Sequence, residues 1–296
     1  MLKFFKDVVV RKFDIKVSLV GATVLAALTF ANVSWAEDSV ILAAGDIAHC
    51  GSAGPGKTAE IISQIPGTVL ALGDLAYDDG SIQQFRDCYD PTWGKFKDRT
   101  RPVPGNHEYH TDGAGGYFSY WGEQAGAKGK GYYSFALKQW HVIALNSNLK
   151  GSDMRMQNDW LKDDLKNSKQ RCILAFWHHP LFSSSRHGNN SRMRDIADAL
   201  FARGASVVLA GHDHVYERFD PQSPSGKRDR KRGIRFFTVG TGGAPLYPFR
   251  SPHLYSRIRY NDQQGVLKLI MHPTSYKWEF INVEGKIKDR GSADCV

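Results

Sequence analysis

The sequence predicts a mixed α/β sandwich, and three features of the chain favour this fold class. Early in the chain, the apolar runs "SVILAAGD" (39–46) and "GTVLALGD" (67–74) flank a helical segment, "KTAEIISQI", in a β-α-β pattern. The last part of the chain is rich in strand-like runs. No internal repeat or linker divides the sequence, so we expect one domain.

The remaining elements follow in chain order. "YYSFAL" and "HVIALNS" predict a pair of strands. "MQNDWLKDDLKNS" predicts an amphipathic helix with Met156, Trp160, Leu161 and Leu165 on its apolar side. "RCILAFWHH" is typical of a buried strand, "RMRDIADALFARG" of a helix that ends at Gly204, and "ASVVLAGHDH" of a further strand. The last predicted strands are "IRFFTVGTGG", "GVLKLIMH" and "YKWEFIN".

Residues 1–36 have the features of an export signal. Five basic side chains precede an apolar run, and the small residues Ser34 and Ala36 stand at the −3 and −1 positions of a cleavage after Ala36. We therefore predict a signal peptide at 1–36 and a single domain at 37–296, which is long enough for a sizeable core. The alternative is an uncleaved membrane anchor.

The predicted mature chain is moderately basic. The leader holds 5 of the 39 basic and 2 of the 30 acidic residues, which leaves a net charge of +6. This excess suits an anionic substrate, and the lack of a recognition motif argues against nucleic acid. The basic segment "DPQSPSGKRDRKRG" (220–233) is interpreted as a solvated surface loop; the alternative is that it attracts phosphorylated substrates.

The cysteines predict two disulfides. The chain has four cysteines, all outside the leader, and no CxxC pair that would indicate a zinc-thiolate site. Cys50 and Cys88 each follow a candidate metal loop, so of the three connectivities we predict Cys50–Cys88 and Cys172–Cys295.

"GSAGPGKT" (51–58) matches the phosphate-binding loop of nucleotide hydrolases, GxxxxGK(S/T). In a working loop of this kind, the motif begins directly at the end of a strand. Here the strand ends at Gly45–Asp46, several residues before Gly51. We interpret the segment as a surface loop with Lys57 and Thr58 at the start of a helix, and leave open that Lys57 attracts substrate.

Five apolar strands end in polar clusters: "AAGDIAH", "ALGDLAY", "VPGNHEYH", "FWHHP" and "LAGHDHVYER". In α/β sheets, ligands bind where such strand ends meet. The clusters supply oxygen and nitrogen donors of the kind that hard and borderline metals take. The sequence therefore predicts a metal site at these strand ends.

The five blocks resemble those of the calcineurin-like metallophosphoesterases and, within them, of the purple acid phosphatases, whose pattern is GDxG, GDxxY, GNH(D/E), a strand ending in His, and GHxH. The resemblance runs from residue 45 to residue 218. It implies a four-layer α/β/β/α sandwich with mixed sheets and a phosphatase acting on monoesters. Asp46 lies ten residues past the predicted cleavage, so we expect no room for the N-terminal β-domain of the plant enzymes.

The resemblance also implies a ligand set for two metal ions. Asp46, Tyr77 and His214 match the ligands of the first metal, and Asp74 matches the bridge between the two metals. The second metal adds Asn106, His178 and His212. "WHHP" offers two histidines, and the family's His-x-Pro spacing favours His178 over His179.

Position 48 indicates which metals the site takes. Many calcineurin-like enzymes have a histidine ligand there, whereas this chain has Ala48, where purple acid phosphatases have glycine. Tyr77 is placed to supply the missing donor, and a phenolate favours iron(III). The second site would hold iron(II), zinc or manganese. His49 is interpreted as a polar loop residue, with a shifted ligand as the alternative.

The implied reaction is attack of a metal-bound hydroxide on phosphorus. His107 is the expected general acid and substrate contact, and the alternative is that it only orients its neighbours. His187, in "SSSRHGNN", is expected to contact phosphate or else to be an exposed loop residue; His110 and Arg186 are weaker candidates. The amides of "GTGG" (240–243) either approach the site or only turn the chain.

We therefore expect a secreted or periplasmic purple-acid-type phosphatase whose partner is a small phosphorylated substrate, with no stable membrane partner once the leader is removed. One alternative is a phosphodiesterase or nucleotidase that uses the same two metals. Another is a metal-bound receptor or scaffold without turnover, which would be expected to have lost a ligand. All seven ligand positions are filled here.

Overall fold

The computed structural model describes residues 38–296, and the predicted leader lies outside the described residues. Within that range the chain forms 13 strands. In chain order they are β1 (Ser39–Ala44), β2 (Thr68–Leu72), β3 (Thr100–Val103), β4 (Tyr133–Leu137), β5 (Trp140–Ala144), β6 (Cys172–Phe176), β7 (Val207–Ala210), β8 (Tyr216–Phe219), β9 (Arg235–Val239), β10 (Ser256–Tyr260), β11 (Gly265–Met271), β12 (Ser275–Asn282) and β13 (Ile287–Asp294).

The strands form two mixed sheets. The first sheet has the order β13-β12-β11-β1-β2-β3, and the second has the order β10-β8-β9-β7-β6-β5-β4. In the first sheet β1, β2 and β3 run parallel, whereas β11, β12 and β13 are antiparallel neighbours. In the second sheet β5, β6, β7 and β9 run parallel. The parallel strands of both sheets therefore direct their carboxyl ends into loops that carry the polar clusters.

Helices cover the sheets. They are α1 (Gly54–Ser63), α2 (Ile82–Gln84), α3 (Gly115–Trp121), α4 (Gly151–Asn167) and α5 (Arg194–Ala202), joined by a π turn (Phe85–Tyr89) and 3₁₀ turns (Trp93–Arg99, His107–His110, Asp112–Ala114, Gly122–Ala125 and Ser191–Met193). The buried side chains of α4 and α5, such as Leu161 and Leu200, pack on Ile143, Ile173 and Val208 of the second sheet. Helix α1 contacts β11 of the first sheet. The predicted fold class, a layered α/β sandwich with mixed sheets, is confirmed.

Strand side chains alternate between two cores. Val142, Leu174 and Leu209 of the second sheet join the core that also contains the first sheet, whereas their neighbours in sequence face α4 and α5. Tyr216 of β8 stacks on Phe280 of β12 with ring centroids 4.0 Å apart, which joins the two sheets directly. Both sheets therefore share one core, with an additional core under the helices of the second sheet.

Helix α4 differs from its prediction. It begins at Gly151, five residues before the predicted start, and Met156 is 52% exposed rather than part of the apolar side. The buried positions are Gln157, Leu161 and Leu165, which are spaced four residues apart. Gln157 is buried because its Oε1 accepts a hydrogen bond from the Asn146 amide at 2.7 Å and its Nε2 donates to the Asn146 carbonyl at 3.1 Å.

Both predicted disulfides are present, Cys50–Cys88 and Cys172–Cys295. The first connects the loop after β1 to the turn before β3, and the second connects β6 to the chain after β13. In the described part of the chain, no helix has both the length and the apolar character needed to cross a membrane.

Candidate metal centre

The seven predicted metal ligands lie at the carboxyl ends of strands from both sheets. Asp46 follows β1, Asp74 and Tyr77 follow β2, and Asn106 follows β3, so the first sheet supplies every oxygen donor. His178 follows β6, and His212 and His214 follow β7, so the second sheet supplies every imidazole. The site therefore exists only where the ends of the two sheets meet.

Tyr77 is the centre of one half of the cluster. Its Oη lies 3.1 Å from Asp46 Oδ1, 3.4 Å from Asp74 Oδ2 and 3.0 Å from His214 Nε2. The Nδ1 of His214 donates to the carbonyl oxygen of Pro245, so Nε2 presents a lone pair to Tyr77 in the neutral ring. With a neutral His214, the single phenolic proton faces three acceptor atoms and can satisfy only one of them fully. Burial lowers the pKa of His214, but Asp46, whose Oδ1 lies 3.2 Å from the same Nε2, raises it above its ordinary value.

His178 is the centre of the other half. Its Nε2 lies 3.1 Å from Asp74 Oδ2, 3.2 Å from Asn106 Oδ1 and 3.2 Å from His212 Nδ1. Its Nδ1 donates to the carbonyl oxygen of Leu72 at 2.9 Å, which fixes the ring with Nε2 towards the cluster. One donor atom from each of Asp74, His178 and His212 lies within 4.8 Å of the other two. Asp74 thus belongs to both halves.

This arrangement fits metal ions on chemical grounds. Acceptor atoms converge, and the protein supplies too few protons to satisfy them, whereas a cation would satisfy them together. The donor set of carboxylate, phenol, amide and imidazole suits iron, zinc or manganese rather than a metal that prefers thiolates.

The backbone of the cluster is strained. Asp46, Asp74 and His212 have positive φ angles of 60°, 50° and 70°, a conformation that costs a residue with a side chain about 1–3 kcal/mol. Glycines make room for the two carboxylates: a Cβ on Gly211 would lie 2.7 Å from Asp46 Oδ2, and one on Gly105 would collide with Asp74. Strain of this kind is typical of functional sites.

The local charges shift several pKa values. Burial alone would lower the pKa of His178, but the Asp74 carboxylate raises it to about 9. Burial opposes ionisation of Asp74, yet His178 and His107 hold its pKa well below the usual range. Burial, Asp46 and Asp74 together raise the pKa of Tyr77 well above its usual value, so the phenol stays protonated unless a cation displaces the proton.

His107, the expected general acid, lies beside the cluster. Its ring centroid is 4.4 Å from that of Tyr77, and its Nε2 lies 3.9 Å from Asp74 Oδ2. Its Nδ1 donates to the carbonyl oxygen of Asp78 at 2.6 Å, and His110 uses the same carbonyl at 3.0 Å. His49 is exposed and lies with Nε2 3.8 Å from Asp78 Oδ1, which agrees with a polar loop residue.

Of the two adjacent histidines, His178 faces the cluster and His179 does not bond to it. His179 Nδ1 lies 2.8 Å from the Ser147 hydroxyl, and its Nε2 lies 3.3 Å from Arg192 Nη1. Burial and the nearby His178 lower the pKa of His179, so its ring is neutral. The choice of His178 over His179 thus agrees with the geometry.

His187 lies at the rim, with its ring centroid 4.3 Å from that of His212. Tyr247, which sequence reasoning missed, stacks on His214 with centroids 3.9 Å apart and an interplanar angle of 10°. The guanidinium carbon of Arg186 lies 5.0 Å from the centroid of the Tyr247 ring. No motif signalled Tyr247, because its loop lies far along the chain from the five blocks.

Glu108 was also missed, although the acidic position of the GNH(D/E) block could have signalled it. It is fully buried. Its two carboxylate oxygens accept the backbone N–H groups of Asp74, Leu75, Ala76 and Gly105 at 2.7–3.3 Å. Burial and Asp74 raise its pKa to about 7. Glu108 therefore holds together the two loops that carry Asp74 and Asn106.

The segment 51–58 has no free phosphate-binding loop. Helix α1 begins inside the motif, at Gly54, so Lys57 lies in its first turn on the exposed side. The Thr58 hydroxyl is buried, donates to the Gly242 carbonyl and accepts from Trp93 Nε1. The interpretation as a loop that enters a helix is thus correct, although the helix starts three residues earlier than predicted.

The glycines at 240–243 pack the chain closely beside the cluster. The amide of Gly240 donates to Val215, and that of Gly242 donates to Gly45, each to a carbonyl oxygen. A Cβ on Gly240 would lie 2.8 Å from Asp46 Oδ2. Of the two alternatives for this segment, these contacts favour close backbone approach around Asp46 over free amides for substrate.

Comparison with known proteins agrees with this geometry. A family model described as calcineurin-like phosphoesterase matches residues 29–216. Purple acid phosphatase 18 of Arabidopsis thaliana is 29% identical over 197 residues, which are 59% of this chain and 43% of the relative. The chain spans about half the length of the curated relatives it matches.

Two solved structures share the fold. Purple acid phosphatase PPD1 from yellow lupin (Lupinus luteus) seeds has a TM-score of 0.70 and 18% identity, over 87% of this chain and 54% of that chain. GAP50, the anchor in the inner membrane complex of Plasmodium, has a TM-score of 0.70 and 12% identity, over 88% and 89%. Because the family model covers more than half of the sequence, the chain belongs to the calcineurin-like phosphoesterase family, in the branch that is similar to the purple acid phosphatases.

Proposed function

We propose that the protein is a metal-dependent phosphatase of the purple acid type that hydrolyses phosphate monoesters. The observation that carries the proposal is the convergence of seven oxygen- and nitrogen-donor side chains from two sheets, with the carboxylate of Asp74 shared between the two halves of the cluster. The similarity to purple acid phosphatases supports the same reaction class.

The donors divide into two sets. Asp46, Tyr77 and His214 would hold iron(III), because a phenolate oxygen favours a trivalent ion. Asn106, His178 and His212 would hold iron(II), zinc or manganese, and Asp74 would contact both ions. When bound, such a pair of cations lowers the pKa of water and stabilises negative charge on phosphoryl oxygens.

The side chains at the rim would act on the substrate. His107 is fixed through Nδ1 by the Asp78 carbonyl, which leaves Nε2 on the side of Asp74. Its side chain is 27% exposed, so the ring can reach a bound ester. In the protonated ring, Nε2–H would donate the proton that the leaving oxygen needs. His187, beside His212, would donate a hydrogen bond to the phosphoryl group.

We also propose that the protein is exported, with residues 1–36 as the signal peptide and the secreted or periplasmic space as its location. The two disulfides support an oxidising compartment.

The decisive experiment combines metal analysis with an assay on 4-nitrophenyl phosphate. Chelation should reduce the rate about 100-fold or more, because the metal ions supply the nucleophile and the charge stabilisation, and added iron with zinc should restore it. Asp74→Asn should cause a loss of similar size. An iron-loaded sample should absorb visible light, and Tyr77→Phe should abolish that band.

Two outcomes would contradict the proposal. Undiminished hydrolysis after complete chelation would remove the metal mechanism. Full activity in a colourless, iron-free preparation would contradict the purple-acid assignment but would still agree with a metallophosphoesterase. Parallel assays on the bis(4-nitrophenyl) ester separate a monoesterase from a diesterase.

A further inference from the structure

A polar cavity lies next to the metal centre, and the proposed reaction does not use most of it. Its volume is about 430 Å³, within the range of small-molecule sites. Residues 183–189 form one wall, and Arg250, Ser251 and His253 form the other. The question is what chemical group this cavity fits.

The cavity adjoins the cluster through two aromatic contacts. His187 lines the cavity, and its ring lies 4.3 Å from the ring of His212. Arg186, also in the wall, lies over Tyr247, which in turn stacks on His214. A molecule whose phosphoryl group reached the donors could therefore extend directly into the cavity.

The charged side chains of the cavity wall are cationic. Arg186 and Arg250 are exposed, and within residues 38–296 neither forms an ion pair with a carboxylate, unlike Arg218, Arg228 and Arg257. Among the described residues, none that lines the cavity is acidic. Burial lowers the pKa of His253, which disfavours a charge on that ring, whereas the two arginines are always charged. Guanidinium groups without a carboxylate partner favour a bound anion.

Buried carboxylates hold the wall in position from behind. Glu217 accepts the backbone N–H and the hydroxyl of Ser184, and Asp213 Oδ1 accepts the backbone N–H of His187 at 2.9 Å. The amide of Arg250 donates to the Ser184 carbonyl at 2.8 Å, which joins the two walls. The backbone that carries both arginines is thus fixed before a ligand arrives, which lowers the entropic cost of binding.

We propose that this cavity binds a second anionic group of the substrate, carried on its leaving group. The preferred substrates would be phosphate esters whose alcohol bears a further phosphate or carboxylate, with Arg186 and Arg250 as the residues that set this preference. A carboxylate and a phosphate each present oxygen atoms to which one guanidinium group can donate two parallel hydrogen bonds. This inference rests on the proposed phosphatase function and names its substrate class.

The test compares three leaving groups on one aromatic ring. Phenyl phosphate has no second anion, 4-carboxyphenyl phosphate adds a carboxylate, and 1,3-phenylene bisphosphate adds a phosphate. The wild type should have a higher kcat/KM for the two doubly anionic esters. In the double variant R186Q/R250Q, the ratio of their kcat/KM to that of phenyl phosphate should fall about 10-fold, chiefly through KM.

Arg171→Gln is the matched control, since Arg171 is exposed and precedes β6, at the end of that strand opposite His178. An unchanged ratio in R186Q/R250Q, or a wild type without preference, would overturn the proposal. The kcat/KM values for 4-carboxyphenyl phosphate and 1,3-phenylene bisphosphate show whether the cavity prefers a carboxylate or a phosphate.

A protein that hydrolyses none of the three esters would instead refute the phosphatase function. In that case, calorimetry measures the binding of 1,3-phenylene bisphosphate to the cavity, and its Kd should rise about 10-fold in R186Q/R250Q. Equal affinity in wild type and variant would contradict the anion site.

Discussion

Asp46, Asp74 and His212 show at the residue scale how the sequence prepares the site. Each follows a glycine, each has a positive φ angle, and each side chain enters the cluster. A Cβ on the preceding glycine would collide with a neighbouring part of the site: with Leu72 O at 2.9 Å for Gly45, with His178 Nδ1 at 2.6 Å for Gly73 and with Asp46 Oδ2 at 2.7 Å for Gly211. The residue after each glycine then takes the strained conformation. The GD and GH pairs are therefore structural as well as chemical signals.

Glu108 makes a prediction at this scale. Glu108→Gln replaces one acceptor oxygen by an amide nitrogen, which leaves two of the four backbone N–H donors without a partner. Each buried hydrogen bond lost costs about 1–3 kcal/mol, so urea unfolding at pH 8 should show a loss of about 2 kcal/mol or more. The variant should also bind zinc more weakly, because the loops of Asp74 and Asn106 are no longer held together.

The exposed Glu123→Gln serves as the control and should leave both quantities unchanged. If Glu108→Gln unfolded at the same urea concentration as the control and bound zinc equally well, Glu108 would have no positioning role.

At the scale of elements, β8 shows why some strands could not be predicted from the sequence. Its sequence, "YERF", reads as a polar turn, yet Glu217 is buried against Ser184, and Arg218 pairs with Asp289 of β13. The apolar strands that end in a motif could be predicted, because their own sequence shows both the apolar run that is buried and the polar residues that follow it. β8, β10 and β13 could not, because their charged residues become compatible with a sheet only through partners distant in sequence.

The same distinction applies to the site. The donor residues that meet in the cluster, and His107 beside it, could be predicted from local motifs and a family resemblance. Glu108 lies in one of these motifs and could have been predicted in the same way, whereas Tyr247 and Arg250 act through contacts that only the folded chain creates. The wrong placement of Met156 on the apolar side of α4 has a similar cause. A polar residue, Gln157, lies on the buried side of the helix because it forms hydrogen bonds with Asn146.

Glu217 makes a prediction about pH. Burial raises its pKa above the ordinary 4.5, although hydrogen bonds from Ser184 lower it. The folded protein therefore keeps this proton at pH values where the unfolded chain has released it, so stability falls as pH rises from about 4.5 through the folded-state pKa. Glu217→Gln should remove this part of the pH dependence.

Urea unfolding of wild type and Glu217→Gln between pH 4 and pH 7, roughly the range in which a raised glutamate titrates, measures the effect. The free energy of unfolding of the wild type should decline relative to the variant as pH increases. A constant difference across the range would show that Glu217 titrates equally in both states.

At the scale of the whole molecule, Asp289 joins the two sheets. Lying on β13 of the first sheet, it accepts hydrogen bonds from Tyr216 and Arg218 of β8 in the second sheet, at 2.6–3.0 Å, and from Trp278 of β12 at 3.0 Å. The carboxylate is buried, so its donors would lose their partner without gaining water.

Asp289→Ala should therefore destabilise the protein by about 3–5 kcal/mol, because it leaves the Arg218 charge without its partner. Asp294→Ala, on the same strand but exposed, is the matched control and should change stability by less than about 0.5 kcal/mol. Equal unfolding free energies for the two variants would show that other contacts join the sheets.

The division of donors between the sheets has a further consequence. With every oxygen donor on one sheet and every imidazole on the other, ions held between them would act as a non-covalent cross-link between the two halves of the fold. Ion binding then adds to the free energy of unfolding, in proportion to the logarithm of ion concentration. The resistance of the protein to thermal unfolding and to proteolysis would thus increase with the concentration of iron or zinc in its surroundings.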